Sequence, residues 1–144
     1  MKNSVRISPS ILSADFGRLN EEIASVEAFS DTLHVDVMDG HFVPNLTFGA
    51  PVVRCIKTKL PLSCHLMVEN PEQYVEAFAQ AHAAAFIFHI ETVSDVRGFI
   101  QKIHKQGMKA GVSLNPSTGL SALKKVLPLV NNVLVMSVVP GFGG

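Results

Sequence analysis

The sequence predicts an α/β fold in which short strands alternate with helices around a parallel sheet. Three observations carry that expectation. Six aliphatic or β-branched runs, VRISPSIL, LHVDVM, LSCHLM, AFIFHI, KAGVSL and NVLVMSVV, begin near Val5, Leu33, Leu62, Ala85, Lys109 and Asn132, a spacing of roughly 23–29 residues. Amphipathic segments of helical period fill the gaps between them. The runs are apolar on both faces, as strands are when helices cover one side and a packed interior fills the other.

Each element has its own local signals. The first run leads through Ser13-Ala14-Asp15-Phe16-Gly17, which is not the GxGxxG turn of a dinucleotide site, into a helix over residues 16–30. The second run ends at Asp39-Gly40, a turn signal. The connection that follows, residues 41–49, is long for a βα loop, and long loops at strand ends often line sites. A helix over residues 50–59 comes next. Asn70-Pro71-Glu72-Gln73 reads as an N-cap, a first-turn proline and a capping-box glutamine opening a helix over 71–81. The helix over 96–106 stops at Gly107. Pro128 shortens the helix over 120–130. The sixth run passes directly into Pro140-Gly141-Phe142-Gly143-Gly144.

The unit count bears on the architecture. A (β/α)₈ barrel uses roughly 25–31 residues per unit. The 144 residues correspond to a little under six such units. A barrel truncated after the sixth strand fits the pattern, and a doubly wound open sheet of this length is the alternative.

Composition removes several function classes. The chain has the length of one domain, with 47% hydrophobic and 17% charged residues, enough for a core and too apolar for disorder. Twelve Lys plus Arg balance 12 Asp plus Glu, which argues against a nucleic-acid partner and against an electrostatic membrane anchor. No apolar run approaches the roughly 18 residues of a membrane span. The start, MKNSVRISPS, lacks the apolar stretch of a signal peptide. Cys55 and Cys64 form no CxxC pair and read as reduced thiols, so a cytoplasmic location is expected.

Polar residues inside the apolar runs are the candidates for chemistry. His34, Asp36 and Met38 share one face of the second run, and His65 and Met67 share one face of the third. A mid-strand aspartate is costly to bury unless it is paired or metal-bound. If these strands are neighbours, two imidazoles and a carboxylate converge, a set that suits Zn²⁺ or Fe²⁺. Taken singly, each residue fits a hydrogen-bonded core role better. Together they put metal binding and core packing on level terms. The glycines of PGFGG could turn N–H groups around an anion, although on this pattern alone an ordinary Gly-rich turn is the favoured reading. Met38, Met67 and Met136 fall at corresponding strand ends, where methionine commonly fills core gaps. His89 and Glu91 end the fourth run in the same way, while His41, His82 and His104 read as loop or helix-surface residues.

Taken together, these segments resemble the ribulose-phosphate 3-epimerase family of the pentose phosphate pathway. The resemblance is carried by SPSILSAD at Ser8, HVDVMDGHFVPN at His34, HLMV at His65, HIE at His89, LNPST at Leu114 and MSVVPGFGG at Met136, in the family's order and over nearly the whole chain. It implies a (β/α)₈ TIM barrel, with residues 1–144 a single ribulose-phosphate-binding domain whose C-terminal part is missing. It implies epimerisation at C3 of D-ribulose 5-phosphate to D-xylulose 5-phosphate through an enediolate. One divalent metal, Zn or Fe(II) with Mn or Co as alternatives, would be held by His34, Asp36 and His65. Asp36 would double as an acid/base. Ser10 and His65 would contact the sugar, Met38, Met67 and Met136 would pack around the reacting carbons, and Gly141, Phe142, Gly143 and Gly144 would lie beside the phosphate. The implied partner is a small sugar phosphate, with no nucleic acid or membrane, in a homo-oligomer when full length.

The sequence departs from the family's pattern in two places. The second acid/base aspartate, in a DGG-type motif on the seventh strand, and the last phosphate loop lie beyond Gly144 in the family's order, so these 144 residues alone are expected to be inactive. His82-Ala83-Ala84 stands where many relatives have Ala-Gly-Ala. An allulose-6-phosphate 3-epimerase and a non-catalytic barrel remnant are the alternative readings.

Overall fold

Five of the six apolar runs form strands in the computed structural model, which describes residues 5–142. They are β1 (Leu33–Met38), β2 (Leu62–Met67), β3 (Ala85–His89), β4 (Lys109–Leu114) and β5 (Asn132–Val135). All pair in parallel, in the order β1-β2-β3-β4-β5. A doubly wound sheet reverses its strand order at a switch point. This order never reverses, which is how strands succeed one another around a barrel wall.

The expected first strand is a correction. Residues 5–12 run beside β1 but form only an isolated bridge at Ser10–His34, closed by His34 N–H to Pro9 O at 2.8 Å and Ile11 N–H to His34 O at 3.1 Å. Pro9 has no N–H to extend the ladder. Further back, the Asp31 carboxylate takes the Ile7 N–H at 2.8 Å, and Ile7 O accepts from Asp31 and Thr32. That stretch is therefore tied to the turn before β1.

The helices lie between the strands: α1 (Leu19–Glu27), α2 (Ala50–Val53), α3 (Val75–Gln80) and α4 (Val96–Lys105). Three are shorter than their periodicity suggests. Helix α2 stops after one turn because side chains of the α1 region capture the backbone beyond it. Asn20 Oδ1 accepts from Lys57 N–H at 2.7 Å, and Glu27 Oε1 accepts from Lys59 N–H at 2.8 Å and the Thr58 hydroxyl at 2.5 Å. Pro71 opens a 3₁₀ turn ahead of α3, but the Asn70 side chain caps nothing, contrary to the capping-box reading. Residues 120–130 form two 3₁₀ turns, Leu120–Leu123 and Leu127–Leu129, in place of a helix. Pro128 sits in the second, where it can neither donate nor fit beneath a preceding helical turn. Helix α4 matches its expected span. Asp95 caps it by accepting from Gly98 N–H at 3.0 Å, and Gly107, at φ +80°, ends it.

Alternation along the strands divides the sheet into two faces. Val35, Val37, Cys64, Leu66, Phe86, Phe88, Ala110 and Val112 face the helices and pack with Ile23, Phe78, Phe99, Ile100 and Ile103. Phe99 meets Phe88 and Phe86 edge to face, with ring centroids 4.8 and 5.9 Å away. The other face holds His34, Asp36, His65 and His89, with a small apolar cluster of Met38, Val43 and Met67. Gly111 belongs to this inner face, where a Cβ would lie 2.7 Å from Ile87 Cγ1 and 2.6 Å from Asn132 Oδ1.

Candidate metal centre

The register of β1 and β2 builds the centre. Asp36 pairs directly with His65, and His34 lies two residues before Asp36 on the same face. His34 Nε2 is 3.2 Å and His65 Nδ1 3.1 Å from Asp36 Oδ1. One ligand atom from each of the three residues lies within 4.8 Å of the others. Asp36 Oδ2 accepts the Ser10 hydroxyl at 2.5 Å, and the short bridge between Ser10 and His34 is what brings that hydroxyl to β1.

Protonation suits cation binding. Burial raises the Asp36 carboxyl, but hydrogen bonds from His34, His65 and Ser10 outweigh it and hold the group well below the carboxylate range. Burial pushes the His65 ring down against the pull of Asp36. Burial, reinforced by His65, takes His89 down to about 4. The result is an ionised Asp36 carboxylate beside the neutral imidazole of His65, the forms in which these groups coordinate metals. Two imidazoles and a carboxylate fit a divalent ion, and the group they form lines a cavity.

The cavity beside the centre has a volume of about 280 Å³. Ser10, His34, Asp36, His65 and Met67 form one wall, and residues 134–138 with Gly141 and Phe142 form the other. Met136 is part of that second wall. Met38 does not line the cavity; it packs behind it with Val43 and Met67. Phe142 is exposed at the rim. Asn45 donates to Gly141 O at 3.1 Å, tying the 41–49 loop to the turn after β5. Gly141 has φ +117°, and a Cβ there would lie 3.2 Å from Val43 Cβ, so glycine suits both its conformation and this approach. Gly143 and Gly144 lie outside the described residues.

The Thr47 hydroxyl fastens the same loop to β1, donating to Asp36 O at 2.9 Å and accepting from Met38 N–H at 3.0 Å. Asp39 accepts from the N–H groups of His41, Phe42 and Glu69. The candidate residues missed His89. It is fully buried, and its Nε2 is 2.9 Å from His65 Nε2. Its place at the end of the fourth run was visible in the sequence; its contact with His65 on the neighbouring β2 was not.

Residues 6–144 match the sequence profile of the "Ribulose-phosphate 3 epimerase family". The chain belongs to this family. Curated family members named ribulose-phosphate 3-epimerase include one from Treponema pallidum, 51% identical over 147 residues, which this chain covers to 67% of its length. Another, from Mycobacterium tuberculosis, is 49% identical over 140 residues and covered to 61%. A third, from Bacillus subtilis, is 48% identical over 143 residues and covered to 66%. These alignments take in 100%, 96% and 97% of the present chain, which spans roughly two thirds of each relative. Among solved structures, orotidine 5'-monophosphate decarboxylase from Methanocaldococcus jannaschii superposes with a TM-score of 0.60 at 16% identity, covering 90% of this chain and 70% of its own. Tryptophan synthase subunit alpha from Legionella pneumophila gives 0.63 at 15% identity, covering 92% and 62%. At such identities they speak for the fold alone, and it is the TIM-barrel fold, here as a partial barrel.

Proposed function

We propose that this chain carries the metal-binding wall and one proton-transfer group of a ketose-phosphate 3-epimerase that interconverts D-ribulose 5-phosphate and D-xylulose 5-phosphate. The observation behind this reading is the convergence of His34, Asp36 and His65 on one face of adjacent strands, beside a cavity, in a chain of this family.

Asp36 is the proton-transfer group. It is ionised and buried, with the Ser10 hydroxyl on one oxygen, so its position is set before substrate enters. Taking the C3 proton next to the C2 carbonyl leaves an enediolate, and returning a proton to the opposite face completes the inversion. His34, Asp36 and His65 would hold a divalent ion, which would supply Lewis-acid stabilisation of the charge developing on the substrate oxygens. Met67 and Met136 line the cavity with polarisable, non-acidic sulfur, which excludes water without protonating a carbanion. The turn at Gly141 and Phe142 lies beside the phosphate. Zn or Fe(II) is the metal this donor set favours, with Mn or Co as alternatives.

The reaction needs a second carboxylate on the opposite face of the substrate. These 144 residues hold no DGG motif to supply it, so the isolated chain is expected to be inactive. No helix of the described residues is long and apolar enough to cross a membrane. We place the protein in the cytoplasm, with a sugar phosphate as its partner and a homo-oligomer as its working form.

The test is a chimera joining residues 1–144 to the last third of the Treponema pallidum relative. Loaded with Zn²⁺ or Fe²⁺ in D₂O, it is expected to exchange deuterium into C3 of ribulose 5-phosphate. Asp36→Asn is expected to abolish that exchange. Exchange at an unchanged rate in the variant removes Asp36 from the acid/base role.

A further inference from the structure

Beyond the three candidate ligands, the inner face of the sheet carries a second titratable pair that the proposed chemistry does not use. His89, at the end of β3, is 0% exposed, and its Nε2 is 2.9 Å from His65 Nε2. Its other nitrogen, Nδ1, is buried with no hydrogen-bond partner and lies 3.5 Å from Glu91 Oε2. The Phe42 ring, with its centroid 4.7 Å away, packs against His89.

The two oxygens of Glu91 have different surroundings. Oε1 accepts the Asn115 N–H at 2.7 Å and the Thr118 hydroxyl, which fixes the carboxylate to the loop after β4. Oε2 is left facing His89 Nδ1. The chain of groups therefore runs Asp36, His65, His89, Glu91, with a carboxylate at each end.

A neutral imidazole carries one proton, so each ring can donate from one nitrogen only. Without a metal, Asp36 Oδ1 at 3.1 Å draws the proton of His65 to Nδ1. His65 Nε2 is then an acceptor, His89 must donate from its own Nε2, and His89 Nδ1 is bare. A bare nitrogen facing a carboxylate forms no hydrogen bond, which matches the unpartnered Nδ1 and the 3.5 Å separation. A metal ion on His65 Nδ1 excludes that arrangement, because the ligand nitrogen must give up its proton.

We propose that His89 and Glu91 are positioning residues that set the tautomer of His65: when His65 gives Nδ1 to a metal ion, its Nε2–H donates to His89 Nε2, and the His89 Nδ1–H points to Glu91 Oε2. This rests on the reading of His65 as a metal ligand. The protons balance. His65 releases its Nδ1 proton to solvent and takes the Nε2 proton of His89, and His89 takes one proton from solvent at Nδ1. Each ring carries one proton before and after, and the hydrogen bond between them reverses direction. Glu91 is the acceptor that makes the reversed state favourable. Partners of this kind, behind a ligand histidine, typically change metal affinity by about 10–100-fold when removed.

Glu91→Gln tests this directly. Asn115 N–H and the Thr118 hydroxyl hold the amide oxygen at the Oε1 position, so the NH₂ group falls at the Oε2 position. It then donates to His89 Nδ1 and locks the metal-free tautomers. The full chain, labelled with ¹⁵N-histidine, is titrated with Zn²⁺ against a chromophoric chelator, and the imidazole nitrogens are followed by NMR. In the wild-type chain, zinc is expected to move the His65 proton to Nε2 and the His89 proton to Nδ1. Glu91→Gln is expected to weaken Zn²⁺ binding about 10–100-fold. A zinc-loaded wild-type chain with the His89 proton still on Nε2 overturns the relay while leaving the metal reading intact. So does an unchanged affinity in Glu91→Gln. A wild-type chain that takes up no Zn²⁺ removes the metal reading and this inference together.

Discussion

His89 shows how burial controls charge at the inner face. An exposed histidine titrates near 6.5, whereas burial takes this ring down to about 4. The folded state therefore binds fewer protons than the unfolded state between those values. Stability linked to His89 is fully present above about pH 6.5 and is lost as the pH falls toward 4. In the metal-free protein, the urea midpoint is expected to decline between pH 7 and pH 5, while the ¹⁵N shifts of His89 remain those of a neutral ring. A protonated His89 at pH 5 in the folded protein contradicts this. Asp36 behaves in the opposite sense only in appearance. Its carboxyl is held low, so its contribution too is present at neutral pH and lost in acid. At this scale, His34, Asp36 and His65 were legible because parity on a strand places side chains without knowledge of the rest of the fold. Gly141 was legible as a glycine-rich turn, but its closeness to Val43 depends on a loop that no local pattern positions.

Among the elements, those packed on both faces followed their sequence signals most closely. Strands β1 to β4 begin and end where their apolar runs do, apart from Ile90, which turns away into a 3₁₀ segment. Helix α4 follows its periodicity because Asp95 and Gly107 mark its ends and Phe99, Ile100 and Ile103 are buried against the sheet. The departures have particular causes. Pro9 denies the first run a ladder, Asn20 and Glu27 take over the backbone after α2, and Pro128 breaks the last helix. The aromatic contact of α4 carries a measurable share of stability. Phe99 is 4% exposed and meets two phenylalanines edge to face. Phe99→Ala is expected to lower the unfolding free energy by about 3–5 kcal/mol, read from urea denaturation. A loss below about 1 kcal/mol would mean that α4 is not held by this packing.

At the scale of the whole sheet, the described residues leave surface uncovered beside β5. Strand β5 pairs with β4 alone among the described strands, and Val135 and Val139 are 79% and 74% exposed. Unpaired strands with apolar side chains are templates for association. The isolated 144 residues are expected to elute from size exclusion above monomer size, and Val135→Lys to shift the profile toward monomer. A monodisperse wild-type monomer contradicts this. The centre itself needs only β1, β2 and the Ser10 bridge, all within the described residues, so metal binding does not depend on the rest of a barrel. X-ray absorption at the zinc edge tests that claim most directly. The zinc-loaded chain is expected to show two imidazole nitrogens and a carboxylate oxygen at about 2.0–2.2 Å, and His65→Ala to lose this signature. A zinc environment dominated by sulfur at about 2.3 Å, or one unchanged by His65→Ala, contradicts it.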